Sequence, residues 1–167
     1  MSDSHINHPL METHSFDFTY QKLDITELPQ QASILYQECV NALDLSWSPY
    51  SRFQVGASIL LENGQILKGA NQENAAYPMC LCAERVALAA ANSTQPDVKI
   101  ISMVVLSKFA DKLSLHPISP CGACRQVLLE TESRQKSPIE LYLGEEEGRV
   151  IYLSSSKLLL PLAFGGL

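Results

Sequence analysis

No apolar run in this chain approaches the ~18 residues that a membrane-spanning helix requires. The first residues, MSDSHINHPLMETHSF, lack a basic stretch followed by an apolar one, so no secretory leader is expected. Positive charge is also scarce: 12 Lys and Arg stand against 18 Asp and Glu in 167 residues, a formal net charge of −6. Phosphate backbones are held by clustered Lys and Arg, so neither a nucleic-acid partner nor a membrane surface is expected. A neutral small molecule suits this balance better. Without export, Cys39, Cys80, Cys82, Cys121 and Cys124 sit in a reducing, cytoplasmic compartment, as metal ligands or buried thiols rather than disulfides. What the chain does have is core: 46% hydrophobic residues with 18% charged, enough for one domain.

Residues 1–28 are polar, show no sustained period, and read as a mobile N-terminal arm, with a short strand or an oligomer contact as the alternative. His5, His8 and His14 lie there without a fixed geometry for a metal. From Pro29 to about Trp47, Ile34, Leu35, Val40 and Leu43 suit an amphipathic helix, with Pro29 in its first turn and Pro49 as its stop. Val55–Leu61 and Gln65–Asn71 flank Asn63-Gly64, a hairpin signal. Ala83–Ala91 reads as a helix, and Lys99–Leu106 as a buried strand. A helix from Cys121 to about Thr131, strands at Ile139–Leu143 and Val150–Leu153, and a short helix near Lys157–Leu160 follow. The alternation predicts an α/β fold, a mixed sheet sandwiched by helices.

The chemistry is carried by Cys82-Ala83-Glu84 and Pro120-Cys121-Gly122-Ala123-Cys124. Two cysteines two residues apart at a helix start turn their sulfurs toward one point, and Cys82 at another helix start supplies a third. Zinc prefers four tetrahedral ligands, so Cys82, Cys121 and Cys124 leave one position for water, the mark of a catalytic Zn²⁺ site. Three thiolates leave that centre with excess negative charge. Helix N-termini offset part of it, and Arg85 and Arg125 are placed to donate to the sulfurs. Glu84 lies close enough to move protons between the water, the ring nitrogen and the leaving amine. CGAC by itself also fits a redox pair or half a zinc knuckle, but neither has a use for the upstream Cys-x-Glu. Cys39 and Cys80 lack ligand spacing and read as buried apolar residues. His116, in a loop before Pro117, reads as solvated.

This pattern is the signature of zinc deaminases in its cysteine form. SPYSRFQVGASIL, NQENAAYPMCLCAER, SPCGACRQVLLE and LLPLAFGG resemble blocks of the cytidine deaminase family, in family order, from about Pro29 to the end. The resemblance implies a cytidine-deaminase-like three-layer fold, with 29–167 as the catalytic domain. It implies hydrolysis of free cytidine and deoxycytidine in pyrimidine salvage, and a homotetramer whose active sites are shared between subunits. It further implies Asn71 and Glu73 on the ribose hydroxyls, Phe53 against the pyrimidine ring, and backbone groups of Ala83 and Ser119 on the base edge. Phe164 matches an aromatic contributed to a neighbouring site, and Arg85 the arginine beside the first ligand. Strand-end capping by Asn71 and Glu73, and core packing by Phe53, are the competing structural uses. Three departures stand out: the long arm, the long SKFADKLSLHPIS stretch, and the ending Gly165-Gly166-Leu167. A deaminase of another cytosine-bearing nucleoside shares these motifs. A nucleic-acid base deaminase would want a basic groove, and a non-catalytic zinc module would not need Glu84.

Overall fold

The structure is a computed structural model that describes residues 12–110, 112–145 and 148–165. Among these, the strands are β1 (Gln21–Asp24), β2 (Phe53–Leu61), β3 (Ile66–Ala70), β4 (Ile100–Phe109), β5 (Lys112–Leu113), β6 (Glu140–Gly144) and β7 (Arg149–Leu153). The helices are α1 (Gln30–Leu43), α2 (Ala83–Thr94) and α3 (Gly122–Gln135), joined by short 3-10 turns. His5, His8, Gly166 and Leu167 lie outside the described residues.

The strands form one mixed sheet in the order β1-β7-β6-β4-β2-β3, with β5 against the end of β4. Every pair is antiparallel except β4 with β6. A parallel pair needs a long crossover, and α3 provides it. Side chains alternate across the pleat of the central strand β4. Met103 and Val105 face α2 and α3, together with Ala57, Ile59, Leu88 and Leu128. Val104 and Leu106 face α1, where Leu35, Tyr36, Cys39 and Leu43 are buried. The expected sandwich of helices about a mixed sheet is therefore the observed one. Fully buried leucines such as Leu35, Leu43, Leu88 and Leu128 contribute about 1.5–3 kcal/mol each.

Three boundaries differ from expectation. Helix α1 ends at Leu43, well before Pro49. Trp47 is already committed elsewhere, donating its N–H to the Asn71 carbonyl while accepting from Glu73 N–H. The polar arm contributes an edge strand, since β1 pairs with β7 from Gln21↔Tyr152 to Asp24↔Arg149. A capping box, with Asp24 accepting from Thr26 N–H and Glu27 accepting from Asp24 N–H, ends it. The strand is too short and too exposed for an alternation to betray it. Strand β4 runs on to Phe109, and β5 folds back on it, so the long SKFADKLSLHPIS stretch opens as a hairpin.

Gly69 on β3 sets how closely α2 approaches the sheet. A Cβ there would sit 2.5 Å from the Ala87 nitrogen and closer still to the Ala83 carbonyl oxygen. Both neighbours are backbone, which gives way only if the helix moves. Gly69→Ala is expected to cost about 1–3 kcal/mol, lowering Tm by roughly 2–12 °C in a chain of this size, as read by a thermal melt.

Candidate active site

Helices α2 and α3 pack side by side and start next to each other. Cys82 is the N-cap of α2 and Cys121 the N-cap of α3, both with extended backbone and no side-chain capping bond. Their sulfurs are thus free to turn away from the helices. Cys124, one turn into α3 and fully buried, points its sulfur to the same place. Cys82 Sγ lies 3.8 Å from Cys121 Sγ, and Cys121 Sγ lies 3.5 Å from Cys124 Sγ. All three sulfurs are within 4.8 Å of one another. A tetrahedron with Zn–S bonds of about 2.3 Å has an edge of about 3.8 Å, so this donor set fits zinc in both chemistry and spacing.

The sulfurs differ in acidity. Hydrogen bonding from Cys124, and then from Arg85, lowers Cys82 to about 5 despite its partial burial. The same bond to Cys82, together with burial and the charge of Glu84, pushes Cys124 far up. Thiols that share a proton in this way give it up when a divalent cation takes its place. Two helix N-termini add positive potential at the same point.

Glu84 follows Cys82 by two residues in the first turn of α2 and is only 4% exposed. Burial raises its carboxyl above the ordinary range, and the negative charge of Cys82 raises it further. A carboxyl shifted upward in this way holds a proton more readily than an exposed glutamate, as a group that passes protons must. Arg85 is placed as expected: its Nη2 donates to Cys82 Sγ at 3.8 Å and to the Cys80 carbonyl at 3.1 Å. Arg125 is not. It points away from the sulfurs, with Nε on the Pro120 carbonyl, Nη1 on the Leu159 carbonyl and Nη2 on Ser119 Oγ.

A cavity of about 320 Å³ opens from this centre, lined by Phe53, Asn71, Glu73, Cys82, Glu84 and Ser119, among others. Strand β3 ends at Ala70, and the following residues are clamped from both sides. Gln72 exchanges two backbone hydrogen bonds with Leu81, while Asn71 and Glu73 share theirs with Trp47. The Asn71 carboxamide accepts from Ser46 Oγ and Val55 N–H and donates to the Phe53 carbonyl, which leaves one N–H of its own. Its use is therefore structural at the least. Glu73 accepts from Tyr50 and Ser51 N–H through one oxygen. Hydrogen bonding from the Ser51 side chain holds its carboxyl below the usual range. Gln72 turns its amide to the Leu45 and Ala70 carbonyls.

Phe53, half-buried at the start of β2, forms one wall. Ala83 is fully buried and is not among the lining residues. Phe164 lies outside the cavity, 89% exposed, with its carbonyl accepting from Gln126 Nε2 at 3.1 Å. Cys39 is buried as expected. Cys80 is not: it is half-buried, accepts from Asn74 N–H through its sulfur, and lines the cavity. Its place two residues before Cys82 in an extended segment puts both on one side, a signal that spacing for ligands alone overlooks. Val55, Leu81 and Ile118 are the other apolar walls that sequence reasoning did not name.

A buried carboxyl beside an open three-thiol centre, on a mixed sheet between helix layers, defines a zinc-dependent hydrolytic deaminase. The family model for the cytidine and deoxycytidylate deaminase zinc-binding region matches residues 29–137. A cytidine deaminase of Halalkalibacterium halodurans is 41% identical over 132 residues, covering 78% of this chain and 92% of its own. One from Sporosarcina psychrophila is 40% identical over 130 residues, with 78% and 88% covered. The crystal structure of cytidine deaminase from Burkholderia pseudomallei superimposes with a TM-score of 0.68 at 35% identity, over 82% of this chain and 100% of that one. The chain belongs to the cytidine and deoxycytidylate deaminase family.

Proposed function

We propose that this enzyme hydrolyses the exocyclic amine of free cytidine and deoxycytidine, releasing ammonia and leaving uridine or deoxyuridine, as a step of pyrimidine salvage. The observation that carries this is the buried carboxyl of Glu84 on the same cavity as Cys82 and Cys121, whose sulfurs cluster with that of Cys124. Zinc held by those three cysteines would supply an acidified water. Glu84 takes a proton from the water, passes it to the ring nitrogen, and serves the amine as it leaves. One C–O bond forms at the amine-bearing carbon and the C–N bond there breaks. Arg85 steadies the Cys82 thiolate.

Phe53 stacks on the flat pyrimidine, backbone groups of Ala83 and Ser119 read its edge, and Asn71 and Glu73 hold the sugar hydroxyls. No Lys or Arg is among the residues lining the cavity, and the ionised Glu73 repels a phosphate. Both features favour the nucleoside over its phosphorylated forms.

We also assign the protein to the cytoplasm and to a homotetramer with shared active sites. Five free cysteines suit a reducing compartment, and no helix among the described residues is long and apolar enough to cross a membrane. Trp47, Tyr50, Tyr77, Met79 and Leu81 are exposed on segments that border the cavity, as are Leu162 and Phe164 near the C-terminus. Apolar surface of that kind is commonly covered by a partner; a second copy of the chain that brings Phe164 to its neighbour's cavity would cover it.

The test is conversion of cytidine to uridine by purified protein, with zinc and sedimentation measured on the same sample. Turnover with about one zinc per chain is the expected result. Zinc without turnover of cytidine or deoxycytidine would move the substrate to another cytosine-bearing nucleoside. A zinc-free protein with a reducible Cys121–Cys124 bridge would overturn the reading.

A further inference from the structure

Arg125, directly after the last cysteine of the second block, is left without a task by the chemistry above. Its side chain nevertheless spends three donors on three separate places. Nε donates to the Pro120 carbonyl at 2.7 Å, Nη2 to Ser119 Oγ at 2.9 Å, and Nη1 to the Leu159 carbonyl at 3.1 Å. Ser119 and Cys121 line the cavity, and Pro120 between them is buried. From Ser114 to Cys121 the backbone belongs to no helix or strand, so no ladder of backbone bonds fixes the end of that stretch. The planar guanidinium fixes it instead, because a rigid fork with several donors sets direction as well as distance.

The third donor reaches the C-terminal segment, which is anchored in turn to the same helix. Glu132 of α3, itself buried, accepts from Ser156 N–H at 2.9 Å and Ser156 Oγ at 2.6 Å. It also accepts from Ile139 N–H at 3.0 Å. Leu159 lies in the same short 3-10 turn as Ser156, so the Ser156–Glu132 bond ties its segment to α3. The guanidinium is braced on the Leu159 carbonyl and turns its other donors to the cavity wall.

We propose that Arg125 is a positioning residue for substrate recognition: it holds the Ser119–Pro120 backbone at the angle that meets the edge of the base, using the anchored Leu159 carbonyl as its brace. This rests on the assignment of Ser119 to the base edge. An interaction that acts on ground state and transition state alike appears in KM rather than kcat.

The experiment compares wild type, Arg125→Ala and Arg125→Lys in cytidine kinetics, zinc content, and hydrogen exchange of peptides covering residues 114–121. For Arg125→Ala the expected result is about a tenfold rise in KM, the scale of one lost charge-assisted bond, with kcat and zinc nearly unchanged and faster exchange in that peptide. Lysine keeps the charge but not the fork, so Arg125→Lys should resemble alanine, while added guanidinium ion restores part of the KM to Arg125→Ala. An unchanged KM with unchanged exchange overturns the proposal, as does loss of zinc and kcat in step, which a merely structural role predicts. A wild type inactive on cytidine would refute the substrate reading, and the exchange data would still decide whether Arg125 holds this wall.

Discussion

Glu84→Gln is expected to keep its zinc and lose nearly all turnover. The substitution preserves size and one acceptor oxygen, so the packing of a side chain only 4% exposed is retained. It removes the one property that the site has tuned, a carboxyl raised by burial and by the neighbouring Cys82 charge. Glutamine neither takes up nor releases a proton. General acid–base participation is typically worth about 10²–10⁴-fold, and a group that serves several transfers in one cycle belongs at the upper end. A fall in kcat of about 10³-fold or more is the prediction, with zinc content at wild-type level by atomic absorption. Removing the negative carboxylate also relieves crowding beside the thiolates, so zinc binding should be no weaker. A variant retaining a tenth of wild-type kcat would show that the protons travel by another route.

The second large effect is expected at Cys121→Ser. Cys121 is the N-cap of α3, and serine is among the best N-cap residues, so the helix loses nothing by the exchange. Whatever is lost belongs to the metal. Four-ligand zinc sites bind with roughly 10–16 kcal/mol, about 3–4 per ligand, which corresponds to about 10²–10³-fold in affinity for each sulfur removed. Competition with a chromogenic chelator reads this directly. Turnover should vanish in parallel, and the zinc-dependent part of the thermal stability should shrink. Cys80→Ser serves as the control: it lines the cavity outside the sulfur cluster and should keep full zinc affinity.

The metal centre was legible in the sequence because its parts are local. Each cysteine falls at or just inside a helix start, and a helix start dictates where a side chain at that position points. Glu84 is read the same way, by its step from Cys82. The sandwich was legible too, since the alternation of Met103, Val104, Val105 and Leu106 divides one strand between two cores. What could not be read depends on partners distant in the chain. Arg125 sits one residue after Cys124, and sequence distance alone sends it to the sulfurs. Of its three actual partners, Pro120 and Ser119 are near in the chain, but Leu159 is 34 residues away and is presented by a backbone carbonyl, which leaves no trace in residue type. Asn71 likewise meets Ser46 across 25 residues. Helix α1 ends early because Trp47 is recruited by Asn71 and Glu73, a contact that no periodicity within 30–47 announces.

The Asn63-Gly64 turn offers a practical handle. Gly64 adopts φ +84°, and a side chain added there would meet nothing within 4 Å. Strand β2 separates this turn from Phe53 by its full length, about 26 Å at the usual rise of ~3.3 Å per residue. Exposed hairpin tips are where chains best accept inserted sequence. A fluorescent reporter or a surface-attachment tag spliced between Asn63 and Gly64 would hang from the end of the molecule opposite the chemistry. The enzyme could then be immobilised or followed in a cell with its catalytic mouth facing outward.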